Sequence, residues 1–213
     1  EKQQKRLFFI IFFLILPNVR SCLNLHRQLF ILKNGATYSI YKKNIKKKRI
    51  IAQKAAHLLK DGQSIILDSS STATFLLPYI AKQNSVKIFT NNLSTALTAI
   101  ELGINTHCLG GRSINGSVVL SSTDTYETIS SITADILFFS SQSVDIDGTI
   151  SDSTEEENYM RRLMIKSAKK AVFLCDNEKF RRTSLYKLCN IDDIDIAVFN
   201  ESFEGLNTKS KIL

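Results

Sequence analysis

The hydrophobic pattern changes period repeatedly along the chain. Ile51, Ala55, Leu58 and Leu59 share one face of a helix over residues 50–60, which Asp61-Gly62 closes in the manner of a C-terminal cap. Residues 64–67 then form a short apolar strand and residues 68–72 a polar turn, after which Ala73, Leu76, Leu77 and Ile80 give the stripe of a second helix. A strand over 86–90, a helix marked by Leu93, Ala96, Leu97 and Ile100, and an extended run over 106–109 entering Gly110-Gly111 continue the alternation. Further strands are expected over 136–139, 171–175 and 194–199, with a helix over about 155–168. Continuous apolar strands need helical crossovers to run parallel. The pattern therefore predicts an α/β fold of Rossmann-like type, a largely parallel sheet with helices on both faces.

In such a fold ligands bind outside the carboxyl ends of the strands, near the point where strand order reverses. Those ends carry Asp68, Ser69, Ser70, Ser71 and Thr72, then Thr90, Asn91 and Asn92, then Gly110, Gly111 and Arg112, then Ser140 to Ser143 with Asp145, and Asp176 to Lys179. The hydroxyls and backbone N–H groups of residues 68–72, leading into a helix, suit an anion such as phosphate; the same residue types also favour plain helix capping. Gly110-Gly111 permits a close backbone approach or a left-handed turn, and Arg112 beside it can pair with a phosphate. Lys179 is either a ligand-directed ammonium or a surface lysine. Asp145, Asp147, Asp152 and Glu155 to Glu157 can bind sugar hydroxyls or complement a helix N-terminus. Together these groups fit a small phosphorylated polyol better than an apolar ligand.

Composition narrows the class. In 213 residues, 44% hydrophobic and 23% charged, a wholly disordered, collagen-like or multi-span membrane protein is excluded, and two prolines with eight glycines leave no long flexible linker. The net charge of +8 is unevenly spread: residues 1–60 hold 14 Lys and Arg against one acid, residues 61–213 hold 14 against 19. A basic front end on a mildly acidic body suits contact with a polyanion or an anionic surface, or a solvated linker. Cys22, Cys108, Cys175 and Cys189 and the three histidines lack ligand spacing, so no metal and no cofactor are expected. Cys108 and Cys175 lie in apolar runs and read as small buried hydrophobes, in keeping with a reducing cytoplasm.

The run Leu7 to Leu16, between Lys2, Lys5 and Arg6 and the stop at Pro17, leaves three readings open: a secretory signal, a remnant of an N-terminal module, and an interfacial anchor. Ten apolar residues are too few to cross a bilayer as a helix, which needs about 20.

From about Asn34 to Ser202 the chain resembles the C-terminal effector-sensing domain of the DeoR type of bacterial transcriptional regulators. The ordered motifs are ILDSSST at Ile66 to Thr72, FTNN at Phe89 to Asn92, LGGR at Leu109 to Arg112, ADILFFSSQSVD at Ala134 to Asp145, DGTISDSTEEE at Asp147 to Glu157, FLCDNEKF at Phe173 to Phe180, and the closing DIDIAVFNE. Asn34-Gly35-Ala36 resembles the short signature after the family's DNA-binding wing, and residues 46–60 its first sensor helix.

The resemblance implies a fold related to ribose-5-phosphate isomerase and glucosamine-6-phosphate deaminase. It implies a non-enzymatic, cytoplasmic regulator of sugar metabolism whose partners are a phosphorylated sugar effector, operator DNA where a DNA-binding module is present, and further copies of itself, with no membrane. Ser69 to Thr72, Thr90, Asn91, Gly110, Gly111 and Lys179 would line the pocket, and Asp68 and Asp145 would orient sugar or loop groups. Ser143 and Arg181 stand where the family commonly has glycine. Residues 1–45 are expected to be a degenerate or truncated winged-helix remnant with a basic linker, and residues 46–213 the sensor. Two alternatives follow from other observations. An aldose–ketose phosphate isomerase would use Asp145 or Glu155 with Lys179, and the apolar front end alone favours a secreted or membrane-anchored sugar binder.

Overall fold

A computed structural model describes residues 43–114 and 116–213. The chain divides into two compact units, residues 1–43 and residues 44–213. The apolar run at 7–16, the Asn34-Gly35-Ala36 signature and the expected winged-helix remnant lie outside the described residues.

The second unit opens with helix α1, Ile45–Ala55, which buries Ile51, Ala52 and Ala55. The helix starts about one turn earlier than its apolar stripe suggests, in the lysine-rich stretch, and continues as a 3-10 turn over Ala56–Leu58. Gly62 is therefore not the cap. At φ 74 it sits in the next turn, where its N–H donates to the Asn84 carbonyl at 2.8 Å.

Strand β1 (Ser64–Leu67) leads into two short helical turns, α2 (Ser71–Thr74) and α3 (Leu77–Ile80), where one helix was expected. Pro78 stands in the first turn of α3, the position where a missing N–H costs least. Next come β2 (Lys87–Thr90), α4 (Leu93–Glu101), β3 (Asn105–Cys108) and a small ribbon of β4 (Arg112–Ser113) and β5 (Leu120–Ser121). Helix α5 (Thr123–Ser130) and β6 (Ile136–Phe139) follow, then β7 (Ser143–Val144), β8 (Thr149–Asp152), α6 (Glu155–Lys166) and β9 (Ala171–Cys175). The chain closes with β10 (Tyr186–Asn190), β11 (Ile196–Phe199) and β12 (Lys211–Ile212).

Seven strands form one sheet in the order β12-β11-β9-β6-β1-β2-β3, and every pairing in it is parallel. Successive residues of its inner strands enter opposite cores, as the period-2 geometry of a strand requires. Ile65, Leu67, Phe138, Val172 and Leu174 pack with Ile51, Ala55, Leu76 and Ile80 on one face. Ile66, Leu137, Phe139, Phe173 and Cys175 pack with Ile129, Met160 and Met164 on the other. A separate antiparallel sheet, β10-β8-β7, is attached through α6, whose Asn158 amide donates to the Tyr186 carbonyl at 2.8 Å. Among the described residues no helix is long and apolar enough to cross a membrane.

The chain lays down β1, β2 and β3 in one direction and then β6, β9, β11 and β12 in the other. The reversal lies between β1 and β6. In an open α/β sheet the carboxyl ends of the two strands at such a point are where a ligand crevice is expected.

Candidate functional site

The loops after β1 and β6 meet at Asp68. Its Oδ1 accepts from the Ser70 N–H at 3.0 Å and the Ser70 hydroxyl at 2.5 Å; its Oδ2 accepts from the Ser140 N–H at 3.2 Å and from Arg161 Nε at 3.1 Å. Asp68 is thus fully buried and positions loop groups on both sides of the crevice. Ser70 is also the N-cap of α2, accepting from the Ala73 N–H at 3.2 Å. The capping account of the hydroxyl run holds for this residue. Because α2 has only four residues, it supplies little macrodipole, and attraction for an anion there falls to side-chain cations.

Two lysines provide them. Lys179, in the 3-10 turn Asn177–Lys179 after β9, donates to the Ser140 hydroxyl at 2.8 Å, so its ammonium reaches the β6 end of the crevice. Lys48, on α1, is 4% exposed and donates to the Ser71 hydroxyl at 2.8 Å, with its ammonium 6.0 Å from the Phe75 ring centroid. Lys48 was missed in the sequence because it stands in the run IKKKRI, where nothing distinguishes one lysine from the next.

Asn91 and Asn92 stand at the end of β2, and both are buried. The Asn92 amide donates to the Ser69 carbonyl at 2.9 Å and its oxygen caps α4 by accepting from the Thr95 N–H at 3.0 Å, which fixes the β2 loop against the β1 loop. Asn91 Nδ2 donates to the Leu120 carbonyl at 3.0 Å, while its Oδ1 is buried with no hydrogen-bond partner among the described residues. Such an acceptor costs about 1–3 kcal/mol unless a donor reaches it. Thr90 is buried and its hydroxyl accepts from the Asn92 N–H at 3.2 Å; Thr72 is buried in α2.

The remaining expected residues sit at the margins. Gly110, Gly111 and Arg112 follow the edge strand β3, four strands from β9, so the rim from Lys179 to Arg112 spans roughly 19 Å at about 4.8 Å per strand. Gly111, at φ 130, makes its close approach to the protein itself, because a Cβ there would lie 2.6 Å from Thr125 Oγ1 and 2.9 Å from the Ser121 carbonyl carbon. Arg112 is exposed on the β4–β5 ribbon. Asp145 lies after β7, where its carboxylate accepts from the Ile146 N–H at 2.7 Å and the Thr183 hydroxyl at 2.6 Å. Those bonds, the Thr183 hydroxyl foremost, hold its pKa below the usual carboxylate value, which makes it a poor proton acceptor.

Arg161, also missed, anchors the site from behind. At 5% side-chain exposure it bonds Asp68, Asp152 (2.8 Å) and Glu157 (2.9 Å), tying the β1 loop to β8 and α6. Burial disfavours its charge, but Asp68, Asp152 and Glu157 outweigh that penalty and hold its pKa above the ordinary arginine value. Its spacing of four from Glu157 is an ordinary helix pair, so only the fold reveals its buried role. Cys175 is buried, and burial pushes its thiol up to about 12; Cys108, half-buried on the edge strand, is also raised by burial. Among the described residues no group of His, Cys, Asp and Glu is placed to hold a metal.

Residues 43–201 match the model of the DeoR C terminal sensor domain. The chain is 31% identical over 160 residues to the HTH-type transcriptional regulator GolR of Listeria innocua, covering 73% of this chain and 62% of that one. It is 28% identical over 152 residues to the HTH-type transcriptional repressor GlcR of Bacillus subtilis, covering 71% and 58%. To the glycerol-3-phosphate regulon repressor of Haemophilus influenzae it is 24% identical over 159 residues, covering 75% and 62%. The matched segment spans less than two thirds of each of these relatives. Among solved structures, eIF2B beta from Chaetomium thermophilum superposes with a TM-score of 0.51 at 14% identity, over 71% of this chain and 48% of that one. Ribose 5-phosphate isomerase A from Methanocaldococcus jannaschii gives 0.49 at 18% identity, over 65% and 55%. The eIF2B likeness shows the Rossmann-like α/β architecture alone. These relatives are named as transcriptional regulators and repressors, and through residues 43–201 the chain belongs to the DeoR family.

Proposed function

We propose that the crevice between the β1 and β6 ends binds a phosphorylated sugar, and that its occupancy modulates DNA binding by a transcriptional regulator of sugar metabolism. The observation that carries this reading is the meeting, at one switch point, of the Lys179 ammonium on the Ser140 hydroxyl with the Asp68-anchored serine loop. An ammonium beside hydroxyl donors suits a phosphate, and the unpartnered Asn91 Oδ1 on the adjoining strand suits a sugar hydroxyl. Names of relatives that refer to glycerol-3-phosphate agree with a phosphorylated effector. Enediol chemistry is a poorer fit, because Asp145 holds its own turn and Glu155 is exposed in the first turn of α6.

Thermal denaturation of the full chain with aldose and ketose phosphates, beside their unphosphorylated sugars, tests this. A ligand at 100 times its Kd adds about 2.7 kcal/mol to stability, or roughly 5–10 °C in a domain of this size. Such a rise with one or more phosphorylated sugars, smaller with the parent sugar and abolished by Lys179→Met, is expected, with no isomerised product by NMR. Equal stabilisation by the parent sugars, or none from any phosphate, would sink the reading.

A further inference from the structure

The outer face of helix α4 is apolar where a surface helix is ordinarily polar. Thr95, Ala96 and Ala99 are buried, yet Leu93, Leu97 and Ile100, spaced four and three apart and so sharing another face, are 37%, 55% and 58% exposed, with Leu102 after the helix at 43%. Together they make an apolar patch on the order of 300 Å² or more, the size that marks an interaction site. Helix α4 packs on β3, an edge strand of the large sheet. The β3 sequence, Asn105-Thr106-His107-Cys108, holds no Lys, Arg, Asp, Glu or Pro. Three other strand edges are guarded. At the opposite edge of the sheet β12 has two residues and carries Lys211, the β10 carbonyls of Tyr186 and Lys187 accept from Asn158 and Arg162, and the Val144 carbonyl of β7 accepts from the Arg182 N–H. The Leu109 N–H donates to Thr90 in β2, and successive residues of a strand aim their backbone groups at opposite sides. Thr106 and Cys108 therefore turn theirs to the open side.

We propose that this edge is a dimer interface, at which β3 pairs antiparallel with β3 of a second copy and the two α4 stripes pack together across the two-fold axis. It holds whether or not the crevice takes a sugar phosphate. A second copy is the occupant because the surface complements itself. A two-fold contact sets a patch against its own image, so any charge in it would meet its like, and no Lys, Arg, Asp or Glu lies on the strand or among the four exposed apolar residues. In an antiparallel pair centred on His107, Thr106 of each copy stands opposite Cys108 of the other. The residues whose backbone groups face outward then satisfy one another, each pair exchanging both N–H···O bonds. The helices fit the same axis. Helix α4 is the crossover from β2 to β3 and packs on both strands. With strands about 4.8 Å apart, crossover helices over the outermost strand pair of each copy come about 10 Å from each other, near the roughly 8–10 Å at which helices pack. A stable interface takes roughly 800 Å² from each partner; the stripe supplies its apolar core and the β3 edge its polar part. An isolated peptide strand added to β3 would leave the stripe in water, whereas a second copy covers strand and stripe at once.

Sedimentation velocity of the full chain at micromolar concentration is the test. The parent protein is expected to be a dimer or an assembly built of dimers. Leu97→Lys combined with Ile100→Lys should halve that mass with an unchanged circular dichroism spectrum, and so should Leu97→Glu combined with Ile100→Glu. Mixing the two charge variants should restore the parent mass, because opposite charges then face each other across the axis. Leu185→Lys, at an apolar residue 78% exposed just before β10, should leave the mass unchanged. Hydrogen exchange reads the strand: the Thr106 and Cys108 amides should be protected in the assembled parent and exchange faster once dilution or the lysine pair dissociates it. A monomeric parent, a lysine pair that keeps the parent mass, charge variants that stay apart on mixing, or Thr106 and Cys108 amides indifferent to dissociation each overturn the proposal. Where the charge variants do not fold, the parent's dilution series decides, and a fall in mass without faster exchange at these two amides counts against the interface.

Discussion

Single residues at the strand ends separate protein-directed from ligand-directed roles. Gly110-Gly111 illustrates this. Both were candidates for close approach to a ligand, but the constraint on Gly111 comes from Thr125 and Ser121, while a Cβ on Gly110 meets nothing within 4 Å. Gly111→Ala should therefore destabilise the protein by about 1–3 kcal/mol, from positive φ and overpacking together. Gly110→Ala should stay within about 0.5 kcal/mol. Urea denaturation of the two variants checks this, and equal losses would show that the packing constraint does not act at Gly111. The lysines teach the converse lesson. Lys48 and Lys179 have the same chemistry in the sequence as any surface lysine, and what singles them out is a hydroxyl at 2.8 Å in a crevice. Lys179 was legible because it follows a strand end; Lys48 was not, because it comes from the helix preceding the first strand.

At the level of elements, Arg161 joins parts that are far apart in sequence. The guanidinium is the hub for Asp68 at the end of β1, Asp152 at the end of β8 and Glu157 in its own helix. Removing it leaves Asp68 and Asp152, each with a side chain 1% exposed, without their cation. Breaking a buried pair on one side costs about 3–5 kcal/mol, so Arg161→Met should lose stability on that scale. Arg161→Lys, which keeps the charge but not the three-pronged geometry, should fall between. Chemical denaturation at neutral pH measures both; a loss below about 1 kcal/mol in Arg161→Met would mean that the cluster relaxes or neutralises at little cost. Several elements escaped the sequence reading, β8 and β10 among them, and for some the local cause is plain. The β4–β5 ribbon, β7 and β12 have two residues each, too short for a period to show. Helix α5 is rich in Thr and Ser, which favour caps and turns as readily as helix, and only Thr125 and Ile129 are buried along it. The single helix expected over residues 73–80 splits where Pro78 interrupts the backbone bonding.

For the molecule as a whole, charge and topology point in different directions. Residues 1–60 carry 14 basic groups against one acid, whereas the rest is acidic on balance. Counterion release makes contact with a polyanion steeply salt-dependent. The full chain is thus expected to bind non-specific duplex DNA at low ionic strength and to release it as salt rises through the physiological range, where the screening length is about 8 Å. Gel-shift titration across salt concentrations checks this, and binding that is absent at low salt or insensitive to it would show that the basic front end does not act on polyanions.

The apolar strands, the helices between them and the polar strand ends were written in the order of residues, because a strand buried on both faces must be apolar throughout and its outgoing loop must be polar. That suffices for the parallel sheet and for most of the crevice rim. Strand order, the pairing of Asp68 with Arg161 across 93 positions and the arrival of Lys48 at Ser71 are of another kind. They depend on which elements become neighbours in space, and a contact between distant residues leaves no period and no spacing in the chain that makes it.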